Sequence, residues 1–326
     1  MTTPSDHPPA TICVYVGLDL IGDGLMKLPF LRALRAAYPA AKITWLAGKG
    51  PTVFARDLAG LATGLIDEVI ENAGIGSGVG ELFGARPLSG RRFDLVIDTQ
   101  RRVLTTLILR RIAHDLFVSG AAGYWLSDRR PATAEKPKAM IRQMLALVEL
   151  AAGRPADIAA APLSIAPEVL AHAHRLLPDG PRYVALAPGA GGRHKCWPLD
   201  RYIALAERLK ARGAVPVFIL GPGEAEWVER CRQVAGAILP LQDVGGPASA
   251  ELTIALARRC AAAVANDSGA GHLIAAADIP LVSLFGPTAP DKFAPMTRTL
   301  TILRAQDFGG EAMDAIPVEA VEQALG

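Results

Sequence analysis

Apolar and polar positions along the chain fall into two alternating series. TICVYVGL (residues 11–18) is nearly continuous in apolar residues and reads as a buried strand. LMKLPFLRALRAAY (25–38) spaces its apolar residues for one face of a helix, and AKITWLAG (41–48) reads as the next strand. LIDEVIE (65–71) and FDLVIDT (93–99) are further short strands, with RVLTTLILRRIA (102–113) a helix after them. The glycine-rich residues 71–92 predict a long loop with one short helix, and long loops in compact domains tend to be functional or mobile. KPKAMIRQMLALVELAAG (136–153) reads as a helix ending at Gly153, followed by a proline-bearing, aperiodic linker, RPADIAAAPLSIAPE (154–168).

The second series repeats the rhythm. YVALAPG (183–189) and VPVFILGPG (215–223) read as strands, and LDRYIALAERLKARG (199–213) and EAEWVERCRQVAG (224–236) as helices. AILPLQD (237–243), the helix SAELTIALARRC (249–260) and the apolar runs CAAAVA (260–265) and LVSLFG (281–286) follow. Strand–helix alternation of this kind predicts parallel βαβ units with helices on both sheet faces. The expected fold is α/β: two doubly wound Rossmann-like domains, residues 1–160 and 161–326, facing each other across a cleft. Ligands in such sheets bind beyond the carboxyl ends of the strands.

Composition narrows this only a little. A chain of 326 residues, 51% apolar and 20% charged, suits two soluble globular domains. No run reaches membrane-spanning length, and MTTPSDHPPA lacks a signal pattern and reads as a short loose tail, so a cytoplasmic protein is expected. The four cysteines, Cys13, Cys196, Cys231 and Cys260, are far apart and read as reduced, mostly buried thiols; no metal or cofactor is expected. Net charge is +2, split as roughly +4 over residues 1–160 and roughly −2 over the rest. That is a mild bias toward an anionic partner on the first half and no nucleic-acid footprint.

Four loops at strand ends carry the candidate chemistry. GLDLIGDGLMKLP (17–29) does not match GxGxxG; its Asp23 is either a helix cap or a general base. APGAGGRHKCWP (187–198) sets small residues, Gly189 among them, before Arg193, His194 and Lys195 and a helix start: an anion site or a solvated basic turn. In ILGPGEAE (219–226), Glu224 either contacts a ribose or base or simply favours the helix dipole. NDSGAGHLIAAADIP (266–280) places Asp267, Ser268, Gly269 and His272 at a strand end, with Ser268 and His272 one helical turn apart.

Together, in this order, the loops resemble glycosyltransferase family 9, the ADP-heptose:lipopolysaccharide heptosyltransferases, from about residue 12 to 325. The matching positions are Gly22, Asp23, Leu28 and Pro29, then Lys195, Trp197 and Pro198, then Asp267, Ser268, Gly269 and His272, and the Gly286–Pro290 segment. The resemblance implies a GT-B fold, with the acceptor on the first domain and the nucleotide sugar on the second. It also implies inverting transfer without metal, and no DxD motif occurs. Asp23 is then the base that deprotonates the acceptor, and Lys195 the cation that offsets charge on the departing diphosphate. Asp267 then holds donor sugar hydroxyls, Ser268, Gly269 and the helix they start face the diphosphate with His272 close by, Gly189 and Arg193 also belong to the donor site, and Glu224 contacts the nucleoside.

Asp19, Lys27 and Arg101 are assigned to an anionic glycolipid or glycan acceptor, with Arg102, Arg110, Arg111, Arg129, Arg130, Lys136 and Lys138 as supporting charges. Asp19 and Asp23 lie four apart, which leaves open which of them is the base. Peripheral contact with the inner membrane face follows from such an acceptor. IPVEAVEQAL (316–325) is similar to the family's closing helix, which is placed to pack back on the first domain. The alternatives are a GT-B transferase with another nucleotide sugar, a nicotinamide oxidoreductase, and a non-catalytic nucleotide-sugar-binding relative. The missing GxGxxG, and the absence of an acid ending the second strand (TWLAGKG), speak against the oxidoreductase.

Overall fold

The computed structural model describes residues 7–132, 136–158, 161–244 and 249–326; most of the expected N-terminal tail lies outside them. The chain divides into two compact units, Met1–Ser164 and Ile165–Gly326. The first contains β1 (Thr11–Val16), α1 (Ile21–Ala37), β2 (Lys42–Ala47), α2 (Ala59–Ala62), β3 (Glu68–Ile70), β4 (Arg92–Asp98), α3 (Val103–Leu109), β5 (Ala113–Ser119) and α4 (Met140–Ala152). Its sheet is parallel, in the order β3-β2-β1-β4-β5.

The second unit contains α5 (Pro167–Leu176), β6 (Arg182–Ala187), α6 (Leu199–Ala211), β7 (Ala214–Phe218), α7 (Val228–Arg232), α8 (Ala250–Ala257), β8 (Ala262–Asn266) and α9 (Gly269–Ala275). It closes with β9 (Leu281–Phe285), α10 (Pro290–Phe293), β10 (Leu300–Arg304) and α11 (Val318–Leu325). Its order, β10-β9-β8-β6-β7, is again all parallel. Each sheet is therefore doubly wound, and its strand order reverses once: between β1 and β4 in the first unit, and between β6 and β8 in the second.

The central strands are apolar because helices cover both of their faces. Ile12 to Val16 of β1 are all fully buried, as are Ala263 to Asn266 of β8. Where edges form, the pattern weakens, and there the sequence reading falls short. β5 and β10 are edge strands that mix charged or half-exposed positions with apolar ones, and neither stands out as an apolar run. The helix expected over 102–113 ends at Leu109, where the backbone tightens into i to i−3 turn bonds (Arg111 N to Ile108 O, Ile112 N to Leu109 O), and Arg111 beyond it donates to the carbonyls of Glu81 and Gly84.

α5 opens at Pro167, inside the segment read as a linker, and its only buried residue is Ala173, so it carries little apolar signal. The helix expected over 224–236 is a 3-10 turn, Pro222–Trp227, followed by the short α7. α4 does end at Gly153, which takes a left-handed φ of 68° and donates to Glu149 O at 2.8 Å. α11 packs on α6, β8 and β9 of its own unit, and Glu319 and Glu322 pair with Arg208.

The glycine-rich segment after β3 is anchored from below by Tyr15. Its buried hydroxyl donates to Ile75 O at 2.6 Å, and an added Cβ on Gly48 or on Gly76 (φ +90°) would stand 2.3 Å from that oxygen. Three consecutive N–H groups, of Gly76, Ser77 and Gly78, then close on the Glu81 carboxylate at the short 3-10 turn Val79–Leu82. The cysteines are all free; Cys13, Cys231 and Cys260 are buried and Cys196 half-buried. Among the described residues no helix is long and apolar enough to cross a membrane.

Candidate active site

In an open parallel sheet the crevice forms where strand order reverses, at the carboxyl ends of the two strands involved. In the second unit those strands are β6 and β8, and the loops after them carry the expected residues. Beyond Ala187 the chain runs through Pro188–Gly192 into a single 3-10 turn, Arg193–Lys195, and then into α6. Buried Asn266, the last residue of β8, holds this loop. Its Nδ2 donates to Pro188 O at 2.7 Å, and its Oδ1 accepts from Trp197 N at 3.1 Å and Tyr202 Oη at 3.2 Å. Trp197 and Tyr202 meet edge to face, 4.9 Å between centroids, and Trp197 Nε1 donates to Ile316 O.

So fixed, Lys195 Nζ donates to Asp267 Oδ2 at 3.1 Å, and Thr288 Oγ1 donates to the same oxygen at 2.8 Å. The Asp267 side chain is largely buried, whereas Lys195 keeps 29% of its surface. Among the described residues one of three ammonium hydrogens is thus engaged, and Asp267 Oδ1 makes no hydrogen bond. Ser268 caps α9, its Oγ accepting from Gly271 N at 3.2 Å, which leaves the N–H groups of Gly269 and Ala270 without intrahelical partners. Burial holds the His272 imidazole below its usual range, with the Asp267 carboxylate opposing. That burial favours the neutral imidazole, which offers a hydrogen bond rather than a charge.

The β7 loop adds Glu224, whose carboxylate accepts from Gly221 N at 2.8 Å and lies against Gly189, where an added Cβ would stand 2.4 Å from it. That contact explains the glycine at 189. Arg193 is placed differently from the expectation of a donor ligand. It spans the β6 and β7 loops, bonded to Glu226 at 2.6 Å and Gly223 O at 3.3 Å, with its guanidinium 4.1 Å over the Trp227 ring. It acts as a clamp, and Asn266 and Thr288 are the residues that sequence reasoning left without roles. Both lie in quoted motifs, but their partners are distant in sequence.

In the first unit the order reverses between β1 and β4. Asp23 is the third residue of α1 and half-buried; the cap position is Leu20, so the capping role for Asp23 is excluded. Among the described residues Asp23 makes no hydrogen bond or ion pair, so its carboxylate is open to a ligand. Asp19 is the opposite case. It is 3% exposed, pairs with Lys27, and accepts from Thr52 Oγ1 at 2.9 Å and Trp45 Nε1 at 3.0 Å. Asp19 and Lys27, expected to meet an acceptor, are a buried brace beneath the loop instead, which leaves Asp23 as the open carboxylate of the two.

Across the crevice, buried Asp98 ends β4 and accepts from Gln100 N (2.8 Å), Thr106 Oγ1 (2.6 Å) and Ser119 Oγ (2.9 Å). Arg101 lies along Gly120, where an added Cβ would stand 3.4 Å from Nη2, and makes no hydrogen bond among the described residues. The other cations named for the acceptor are mostly committed. Arg110 binds Leu126 O and Asp128, Arg111 binds two carbonyls, and Arg129 binds Ala151 O. Arg130 stacks 4.7 Å over Trp125. Among the described residues no cluster of three or more His, Cys, Asp or Glu is arranged to hold a metal ion.

The fold is GT-B. A solved glycosyl transferase family 9 structure from Veillonella parvula DSM 2008 superposes with a TM-score of 0.69 at 21% identity, covering 97% of this chain and 96% of that one. The Escherichia coli ADP-heptose lps heptosyltransferase II structure superposes with a TM-score of 0.65 at 22% identity, covering 97% of both chains. Residues 84–313 match the family model of glycosyltransferase family 9 (heptosyltransferase), and the chain belongs to that family. The Haemophilus influenzae lipooligosaccharide heptosyltransferase 2 is 35% identical over 125 residues, 37% of this chain and 36% of that protein. The matches span between 30% and 45% of the length of the curated relatives.

Two expectations follow. Asp19→Ala strands the Lys27 ammonium in the core and costs about 3–5 kcal/mol, whereas Asp23→Ala, at a half-exposed unpaired site, shifts stability by less than about 0.5 kcal/mol; urea unfolding separates them, and equal losses would refute the brace.

The second concerns Asp98, whose carboxyl burial pushes up to about 6 from 3.8. Stability from the protonated form is complete below the unfolded value and lost as pH rises through the folded one. Asp98→Asn should therefore gain on wild type between pH 4 and 7.5, by at most about 3 kcal/mol. A pH-independent difference in urea midpoint would contradict this.

Proposed function

We propose that the chain transfers a sugar, heptose by preference, from an ADP-sugar to a hydroxyl of an anionic lipopolysaccharide-core glycan, with inversion and without a metal. The observation that carries this is the Lys195–Asp267–Thr288 constellation at the β6/β8 reversal. It is a cation held by a carboxylate that still has one oxygen free, beside the open N–H groups starting α9. Such a site suits a sugar diphosphate: donors for phosphate oxygens, and an acceptor for sugar hydroxyls. Family membership and the names of the relatives support the choice of ADP-heptose and lipopolysaccharide.

In this reading residues 161–326 hold the donor and residues 1–160 the acceptor. Asp23 takes the proton of the acceptor hydroxyl as its oxygen attacks the anomeric carbon. The bond from that carbon to the diphosphate oxygen breaks, and its electron pair leaves with the diphosphate. Lys195 and the α9 N–H groups offset the charge that develops there. Asp267 Oδ1 holds donor hydroxyls, neutral His272 adds a hydrogen bond, and Glu224 meets the nucleoside. Arg101 is the acceptor cation. The protein works in the cytoplasm, touching the inner membrane face only where its acceptor is anchored.

A thermal-shift panel of ADP, ADP-heptose, UDP- and GDP-sugars and NAD tests the reading. A ligand at 100 times its Kd stabilises by about 2.7 kcal/mol. Stabilisation selective for ADP and ADP-heptose, reduced in Lys195→Ala, is expected. Preference for UDP or GDP would discard heptose, and a response to NAD alone would discard transfer.

A further inference from the structure

The two units share a device that the proposed roles use only once. The second strand of each reversal ends in a fully buried polar residue, Asn266 in β8 and Asp98 in β4. A buried polar side chain is costly unless its hydrogen bonds are met. Both are met, and in both cases by the elements that flank the crevice. Asn266 fixes the loop that presents Lys195. Asp98 fixes the turn Thr99–Arg102, binding Gln100 N and bracing itself on Thr106 of α3 and Ser119 of β5. Thr99 closes the turn onto β1, its N and Oγ1 both donating to Tyr15 O, at 3.2 and 2.9 Å.

What this turn presents is Gln100. Its side-chain amide crosses to the end of β1 and lies on Gly17, where an added Cβ would stand 3.3 Å from Oε1. Gln100 is half-buried, yet among the described residues its amide makes no hydrogen bond. Gly17 begins the connection into α1, whose first turn carries Asp23, so the amide and the proposed base follow the carboxyl ends of the two strands that border one crevice. A held, half-buried amide with unmet donors and an unmet acceptor is suited to a ligand rather than to bulk water. It is uncharged, so it discriminates by the placement of hydroxyls, where Arg101 discriminates by charge.

We infer that Gln100 hydrogen-bonds a hydroxyl of the acceptor sugar and sets which acceptor the first unit takes, with Asp98 as its positioning residue. This rests on the assignment of the first unit to the acceptor. A carboxamide accepts from one sugar hydroxyl and donates to its neighbour. Glutamate at the same place keeps the shape but loses the donor and adds a charge that repels an anionic glycan.

The test is calorimetric titration of ADP, and separately of core oligosaccharides from strains lacking lipopolysaccharide heptosyltransferase 1, 2 or 3, onto wild type, Gln100→Ala, Gln100→Glu, Asp98→Asn and the Asp98→Asn/Gln100→Ala pair. Gln100→Ala should weaken the best oligosaccharide about fivefold to tenfold, and Gln100→Glu more, with ADP affinity unchanged within about twofold. Asp98→Asn should weaken it too, and the double variant should bind no worse than Gln100→Ala alone. Unchanged oligosaccharide affinity in Gln100→Ala with ADP binding intact overturns this proposal only. Additive losses remove the positioning role of Asp98. A wild type that binds ADP but none of the oligosaccharides overturns the acceptor assignment and this inference with it. A wild type that does not bind ADP overturns the donor reading first.

Discussion

The site depends on one constraint: at each point where strand order reverses, a polar residue is buried at the end of a strand and must find partners. Asn266 finds them in Pro188, Trp197 and Tyr202, and Asp98 in Gln100, Thr106 and Ser119. Loops at strand ends are otherwise free to wander. Here each is tied to the rigid sheet by bonds whose loss would leave a buried donor or acceptor unmet, at about 1–3 kcal/mol each. Catalytic geometry is thereby inherited from the sheet and not from the loops themselves.

Electrostatics follow the same division. In the second unit, charge is held in reserve: Lys195 is paired with Asp267 but partly exposed, and the first N–H groups of α9 have no intrahelical partners. Arg193 is spent on Glu226 and Trp227 and stiffens the two loops around Glu224. In the first unit, Asp19 and Lys27 neutralise each other under the loop. Among the described residues the Asp23 and Arg101 side chains make no hydrogen bond or ion pair, and of the supporting charges neither do those of Arg102 and Lys136. Under the roles proposed above, Asp23 supplies the free carboxylate for proton removal and Lys195 the half-free ammonium for leaving-group departure.

The fold was legible because central parallel strands must be apolar on both faces, so β1, β2, β4, β6, β8 and β9 announce themselves. β5 and β10 do not, since an edge strand has polar company, and α5 does not, since it buries little. The site was legible where motif residues act through neighbours in sequence, as Ser268 does on Gly271. It was illegible where burial decides. Nothing local distinguishes Asp19 from Asp23, and only the packing of Trp45 and Thr52 onto Asp19 does so. Thr288 and Asn266 likewise acquire meaning only from partners 21 and 64 to 78 residues away.

Hydrogen exchange followed by mass spectrometry, with and without saturating ADP, tests the central claim most directly. If the anchored loops of the second unit hold the diphosphate, protection appears in residues 188–197, 221–227, 267–272 and 286–290, while 17–23 and 98–102 exchange as before. Protection confined to the loops of the first unit, or none at all at saturation, would contradict it.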